Sequence, residues 1–317
     1  MERLVECVPN FSEGRRPEIL ARLREAIESA QGVRFLDQTA DVDHNRSVIT
    51  FAGEPKPVTA GMERALEVAI ATIDLNRHAG EHPRLGAVDV IPFVPIGDTT
   101  IDECVELARA FGERIATRFD LPVFLYAAAA TRSERVRLPD IRKPQFEGMR
   151  ELIGTAGWEP DFGPSRLHPT AGATVVGARP FLIAYNVDLE TSDVDLAKRI
   201  ARRIRESSGG LPKVQALGLW LEDLRCAQVS MNLLDFTVTP MWLVFEEVSR
   251  EAAEEGVRVR ESELIGLAPA RALLDVADHA GVDAGLPVKD RLAGAATWLK
   301  LRDFDPSMAL ELRLARP

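Results

Sequence analysis

Between Arg77 and Val90 the chain reads Arg77-His78-Ala79-Gly80-Glu81-His82-Pro83-Arg84-Leu85-Gly86-Ala87-Val88-Asp89-Val90. Two of only five histidines, an acid and two arginines crowd into a Gly/Pro-punctuated loop that runs into an apolar strand. Histidine takes and gives a proton near neutral pH, so one held at a strand end beside charged partners suits general acid/base chemistry. Gly80 and Pro83 bracket His82 and favour a fixed loop over a helix face. On spacing alone, a proton-transfer histidine and one that merely caps or solvates a polar loop both fit. A zinc reading competes, because two histidines four apart on a helix share a metal. Here Gly80 and Pro83 break the helix, Glu81 adjoins the second histidine instead of following the first, and no third ligand follows at a familiar spacing. No metal is expected. No G-x-S-x-G elbow occurs in the chain, which argues against a serine nucleophile.

Other polar groups keep two readings open. Asp41, Asp43, His44, Asn45 and Arg46 follow an expected strand and mix acceptors with donors. The stretch Asp161-Phe162-Gly163-Pro164-Ser165-Arg166-Leu167-His168-Pro169-Thr170-Ala171-Gly172-Ala173-Thr174 has neither helical nor strand period. Its glycines allow a backbone to approach a flat ligand closely, yet alone it reads as an ordered loop or linker. Asn10 and Asp235 fall at expected strand ends, where turn capping competes with ligand contact. Gln228 and Asn232 share one strand face, as period two requires. The basic run from Thr131 to Lys143 (Arg132, Arg135, Arg137, Arg142, Lys143) is the densest positive cluster, and a solvated face is its ordinary meaning.

Several long phrases go further together than any does alone. They are Leu4-Val5-Glu6-Cys7-Val8-Pro9-Asn10-Phe11-Ser12-Glu13-Gly14, the 77–90 loop, His44-Asn45-Arg46, Trp158-Glu159-Pro160-Asp161-Phe162-Gly163-Pro164-Ser165, Gly177-Ala178-Arg179 and Gln228-Val229-Ser230-Met231-Asn232-Leu233-Leu234-Asp235. With them the chain resembles the formiminotransferase family over nearly its whole length. The resemblance implies transfer of a formimino group from N-formimino-L-glutamate to tetrahydrofolate, a co-substrate, during histidine breakdown. It implies His82 as the general acid/base, accepting a proton from the attacking pteridine nitrogen and returning one to the departing glutamate nitrogen. It marks Gly163, Pro164, Ser165, Arg166, Leu167, His168, Pro169, Thr170, Ala171 and Gly172 as the folate-binding loop. Asn10, His44, Asn45, Arg46, Arg84, Gln228 and Asn232 are the expected substrate contacts.

The chain departs from the animal members in two places. Arg166 and His168 stand where those lack a basic residue, and Thr39 stands where they carry an acid. The carboxylate assisting His82 is therefore expected to be Asp41, or Glu81. In animals the domain is fused to a cyclodeaminase, for which this chain leaves no room, so a stand-alone form is expected. Two alternatives stay open: a glutamate formyltransferase working on a formyl-tetrahydrofolate/N-formylglutamate pair, and a folate-binding protein without turnover.

Composition bounds the setting. At 317 residues, 46% hydrophobic and 28% charged, the chain is long enough for one or two globular domains. The longest apolar run, Leu121 to Ala130, is too short to span a bilayer, and no signal-peptide pattern opens the chain. Cys7, Cys104 and Cys226 lie far apart in apolar contexts, which predicts buried reduced thiols. A formal net charge of −10 argues against nucleic acid. A cytoplasmic enzyme with small-molecule substrates, no membrane partner and a homodimeric assembly is expected. Because both substrates are anions, its site must gather cations locally.

The elements predicted to position these groups alternate strand and helix. The first half gives strands at Leu4–Val8, Val33–Asp37, Ser47–Phe51, Val88–Val94 and Leu121–Tyr126. Its helices follow Pro17, Pro57, Ile101 and Gln145. The second half gives strands at Phe181–Val187, Val214–Trp220, Gln228–Leu234 and Val257–Val259, with helices after Ser192-Asp193 and Pro240. Both halves contain β-α-β-β-α-β, so the predicted class is α/β (α+β), two ferredoxin-like subdomains with a cleft between them. The boundary is expected near Gly177–Pro180, giving subdomains 1–178 and 179–317.

Overall fold

The structure, a computed structural model, describes residues 3–80 and 83–315. Glu81 and His82 lie outside the described residues. The chain divides into two compact units between Arg179 and Pro180.

In the first unit a strand split by Pro9 forms the centre, as β1 (Arg3–Cys7) and β2 (Asn10–Phe11). Then come α1 (Pro17–Glu28), β3 (Val33–Asp41), β4 (Arg46–Gly53), α2 (Pro55–Thr72), β5 (Val88–Gly97), α3 (Ile101–Phe119) and β6 (Val123–Ala127). Two short helices, α4 (Leu138–Arg142) and α5 (Gln145–Leu152), precede β7 (Thr174–Ala178). Proline opens α1 and α2, where its missing N–H costs nothing. Thr100 and Glu103 build a reciprocal capping box on α3.

The sheet runs β3, β4, β1/β2, β5, β7, β6, antiparallel as far as β5 and parallel beyond it. The expected β-α-β-β-α-β unit is thus extended by two parallel strands. β7 slots between β5 and β6, a strand absent from the predicted set that overlaps the boundary expected near Gly177–Pro180. Helices α1, α2 and α3 cover one face, burying Leu23, Ile27, Met62, Leu66, Phe111 and Ile115 against Phe11, Phe51 and Phe93. On the other face α4 and α5 bury Ile141 and Met149 against Val90, Phe124, Tyr126 and Val175. Covered on both sides, β5 is a nearly unbroken apolar run.

The second unit comprises β8 (Ile183–Leu189), α6 (Val194–Ile204), β9 (Val214–Leu221), β10 (Cys226–Leu233), α7 (Met241–Glu254) and β11 (Val259–Ile265). Its four-stranded sheet runs β11-β8-β10-β9, antiparallel throughout, the order produced when two split β-α-β units interleave. Asp193 caps α6 by accepting from the Leu196 N–H at 3.0 Å. Three helices absent from the predicted set, α8 (Ala270–His279), α9 (Val288–Trp298) and α10 (Leu310–Leu314), complete its core through Leu273, Val276, Leu292 and Leu310. Mixed α/β architecture with two sheets is therefore what the chain adopts. All three cysteines are free and buried. Among the described residues no helix is long and apolar enough to cross a membrane.

Candidate active site

The β3–β4 hairpin supplies Asp41, His44, Asn45 and Arg46, and its own polar chemistry shapes it. The Asp41 carboxylate accepts from the His44 N–H and pairs with His44 Nδ1, both at 2.8 Å. Burial is the largest single influence and opposes the charge, but the His44 bonds together outweigh it and lower the Asp41 pKa. Asn45 closes the turn at φ +49°, a left-handed conformation that asparagine tolerates well. Its side chain then faces two ways: Oδ1 accepts from the Gly14 N–H at 3.0 Å, and Nδ2 donates to the Ala79 carbonyl at 3.1 Å. A Cβ on Gly80 would lie 2.3 Å from the His44 carbonyl oxygen, so only glycine lets the 77–80 segment seat on this hairpin.

His78 and Arg84 fasten the same loop from both sides of its undescribed centre. His78 Nε2 is 2.9 Å from the Asn45 carbonyl, and Arg84 Nε donates to His78 Nδ1 at 3.1 Å. A guanidinium only donates and a carbonyl only accepts, so the ring is neutral with its proton on Nε2. Burial, aided by the Arg84 charge, outweighs the Asn45 bond and lowers the His78 pKa. With both nitrogens committed, His78 offers no lone pair to a metal. Arg84 is buried and forks onto Glu147 of α5, at 3.0 and 2.7 Å. Glu147 was not singled out in the sequence, where nothing in its own segment marks it.

Because His78 folds neutral, the unfolded chain binds a proton that the folded chain rejects. Stability should therefore fall as pH drops through about 6.5, the ordinary histidine value. His168 shifts the same way, chiefly through burial. Melting temperatures measured down through this range should decline less steeply in His78→Gln, whose amide can both donate to Asn45 and accept from Arg84. An unchanged slope would remove His78 from the account.

Behind the loop, Asn10 sits just after the Pro9 break, at an irregular register between β4 and β5. Its Oδ1 accepts from Arg46 Nη2, and its Nδ2 donates to the Val8 carbonyl at 3.1 Å. Asp89 on β5 is buried, accepts from the Leu85 N–H at 2.6 Å and pairs with Arg142 at the end of α4. The 131–143 run is thus not simply a solvated face: Arg135 and Arg142 turn inward onto carboxylates.

The 161–174 stretch is built into the sheet rather than hung between elements. Asp161 accepts from the Leu125 N–H at 2.8 Å and from Arg135 at 2.7 Å, within a buried ion pair. His168 and Gly172 exchange backbone bonds at 2.9 and 3.1 Å, and His168 Nδ1 accepts from the Ala171 N–H at 3.0 Å. Gly163 and Gly172 have φ of +87° and +72°, and a Cβ there would lie 2.5 Å from the Leu121 carbonyl and 2.3 Å from that of Leu85. The backbone that approaches these glycines is the protein's own. The loop therefore needs these glycines to fold, whatever it binds. Ser165, Arg166, Leu167, His168 and Pro169 line a cavity of about 300 Å³ with Phe146, Arg150 and Ile153. Arg166 also pairs with Asp120 at 2.5 Å, both groups exposed. An aromatic ring, aliphatic side chains and two guanidiniums make a wall suited to an aromatic anion. Pro164 adjoins this wall, while Thr170 and Ala171 tie the loop to Leu75 and Ala87 through backbone bonds of 2.8 and 2.9 Å.

Gln228 and Asn232 lie in the second unit, on the face of β10 opposite its core residues Ala227, Val229, Met231 and Leu233. Gln228 is buried and donates to Asp188 at 2.7 Å, and Asp188 also pairs with Arg302. Asp235 closes its own turn, accepting from Thr237 N–H and Oγ1–H at 3.0 and 2.6 Å.

Two family models divide the chain between them. "Formiminotransferase domain, N-terminal subdomain" matches residues 4–179, and "Formiminotransferase domain" matches residues 184–285. The chain belongs to the formiminotransferase family. Among formiminotransferase relatives, a protein from Thermoplasma acidophilum named glutamate formimidoyltransferase is 46% identical over 315 residues, covering 99% of this chain and 98% of its own. One of the same name from Streptococcus pyogenes is 47% identical, over 88% of this chain and 93% of its own. The formimidoyltransferase-cyclodeaminase of Sus scrofa is 47% identical over 87% of this chain, which matches 52% of that longer protein.

Proposed function

We propose that this formiminotransferase is a glutamate formimidoyltransferase, moving the formimino group of N-formimino-L-glutamate to tetrahydrofolate in histidine breakdown. The observation that carries the reading is the near-end-to-end match to the Thermoplasma protein of that name. The formyl-transferring and non-catalytic alternatives find no favour among the names of the relatives.

In this reading His82 is the general acid/base. It removes the proton from the attacking pteridine nitrogen as the new carbon–nitrogen bond forms. It returns a proton to the glutamate nitrogen as the old bond breaks, so L-glutamate leaves with no net proton consumed by the protein. Asp41 or Glu81 supports its charge. The Gly163–Gly172 loop holds folate beside Phe146 and Arg150, while Asn10, His44, Asn45, Arg46, Arg84, Gln228 and Asn232 serve the substrates. For Arg84 that service is indirect, because its guanidinium is spent on Glu147 and His78 and so aligns the loop. No metal role is assigned, and a cytoplasmic homodimer is the proposed setting, open to sedimentation measurement.

The test is a purified-protein assay with tetrahydrofolate and each donor, N-formimino-L-glutamate and N-formyl-L-glutamate. Release of L-glutamate with the formimino donor, and far less with the formyl donor, is expected. Folate titration without glutamate release would make the chain a binding protein.

A further inference from the structure

At the base of the 77–84 loop, two guanidiniums share too few acceptors. Arg46 on β4 donates to Asn10, a neutral partner. Arg142 pairs with Asp89, whose other oxygen is already taken by the Leu85 N–H at 2.6 Å. The Nε of each arginine is buried without a hydrogen-bond acceptor among the described residues. Buried unpaired donors on charged groups destabilise a fold, so they stand out where a ligand completes them. The two charges also sense each other: burial first, and Arg142 second, bring the Arg46 pKa down to about 10. Asp89 pairs with Arg142, and Asp41, whose charge also favours the cationic form of Arg46, is held by His44.

We propose that Arg46 and Arg142 form a carboxylate-binding subsite beside the contacts that anchor Ala79 and Leu85. The proposal rests on the transferase reading only for the identity of its ligand. Carboxylates reach it from two sources, the donor's glutamate moiety and the glutamyl tail of folate. Its position favours the donor. The Arg46 backbone adjoins Asn45, which grips Ala79 on one side of the loop, and Asp89 holds Leu85 on the other. A carboxylate there lies between the anchors of Ala79 and Leu85, while the cavity at Phe146 and Arg150 remains for folate.

Arg142→Gln alone strands Asp89, so the informative variant is the pair Arg142→Gln with Asp89→Asn, which keeps the local net charge and the acceptor for Leu85. Arg46→Gln is the second variant, since it strands no buried acid. Arg114→Gln, which breaks an exposed pair with Glu63, is the charge control. Calorimetric titration with L-glutamate and with tetrahydrofolate, and KM for each substrate, are compared with melting temperature as the measure of folding. In folded variants, L-glutamate affinity and donor KM should worsen on the order of 10- to 100-fold, the loss of a charge-assisted hydrogen bond, with folate affinity held. Folate affinity falling instead, with tail-less tetrahydropteroate unaffected, keeps the subsite and moves the tail into it. Unchanged binding of both ligands in folded variants overturns the proposal. A wild type that binds L-glutamate here but transfers nothing refutes the transferase reading and leaves the subsite standing.

Discussion

His82→Ala should lower kcat by about 10²–10⁴-fold, the range for losing a positioned general acid/base. The amidine carbon needs one nitrogen deprotonated on attack and another protonated on departure, and one imidazole serves both. Tetrahydrofolate affinity should hardly move, because the ring is not proposed as a binding contact. The wild-type pH–rate profile should show an ionisation near neutrality that the variant lacks. His78 supplies the control. Its ring is fixed in one neutral tautomer between Arg84 and Asn45, so it has no proton to shuttle without breaking the loop's anchor. His78→Gln should therefore keep the neutral ionisation in the profile. A His82 variant with near-normal turnover sinks the mechanism, and a His78→Gln variant that loses the ionisation reverses the two roles.

How much of this was legible beforehand depends on the range of the signal. Local signals worked: prolines at helix starts and the Asp193 cap placed elements within a few residues. Alternation placed Gln228 and Asn232 on one face. What failed was long-range. β7 is five small residues whose strand character comes from lying between β5 and β6, and nothing in Thr174–Ala178 announces that. Helices α8, α9 and α10 exist because the second sheet needs more cover than two helices provide. The site shows the same divide. The His78–Arg84 loop was visible as a phrase, but its anchor Glu147 is 63 residues from Arg84, and the pairing appears only on folding. The basic run 131–143 suggested solvent because charge density says nothing about partners. Asp161 and Asp89, which turn Arg135 and Arg142 inward, lie 26 and 53 positions away in sequence.

Arg135→Met should destabilise the first unit by about 3–5 kcal/mol, a large part of the roughly 5–15 kcal/mol that holds a domain. The side chains of Arg135 and Asp161 are 4% and 7% exposed, so removing the cation strands a charge that water cannot reach. Arg135 also donates to the Gly157 and Glu159 carbonyls, at 3.1 and 2.6 Å, and stacks 5.0 Å over the Phe124 ring. Methionine preserves part of that stacking and none of the donors. Adding Asp161→Asn should recover most of the loss, because the amide oxygen still accepts from the Leu125 N–H and no charge is left buried. Urea unfolding of the two single variants and the double variant measures the coupling directly. The consequence reaches the folate loop, since Asp161 opens the stretch in which the Phe162 carbonyl accepts from Val123 at 2.9 Å and Gly163 turns beneath Leu121. Tetrahydrofolate affinity should therefore fall in Arg135→Met and return in the double variant, in step with stability. A destabilised Arg135→Met protein that still binds folate at full strength, under conditions where it remains folded, would detach this anchor from the binding loop.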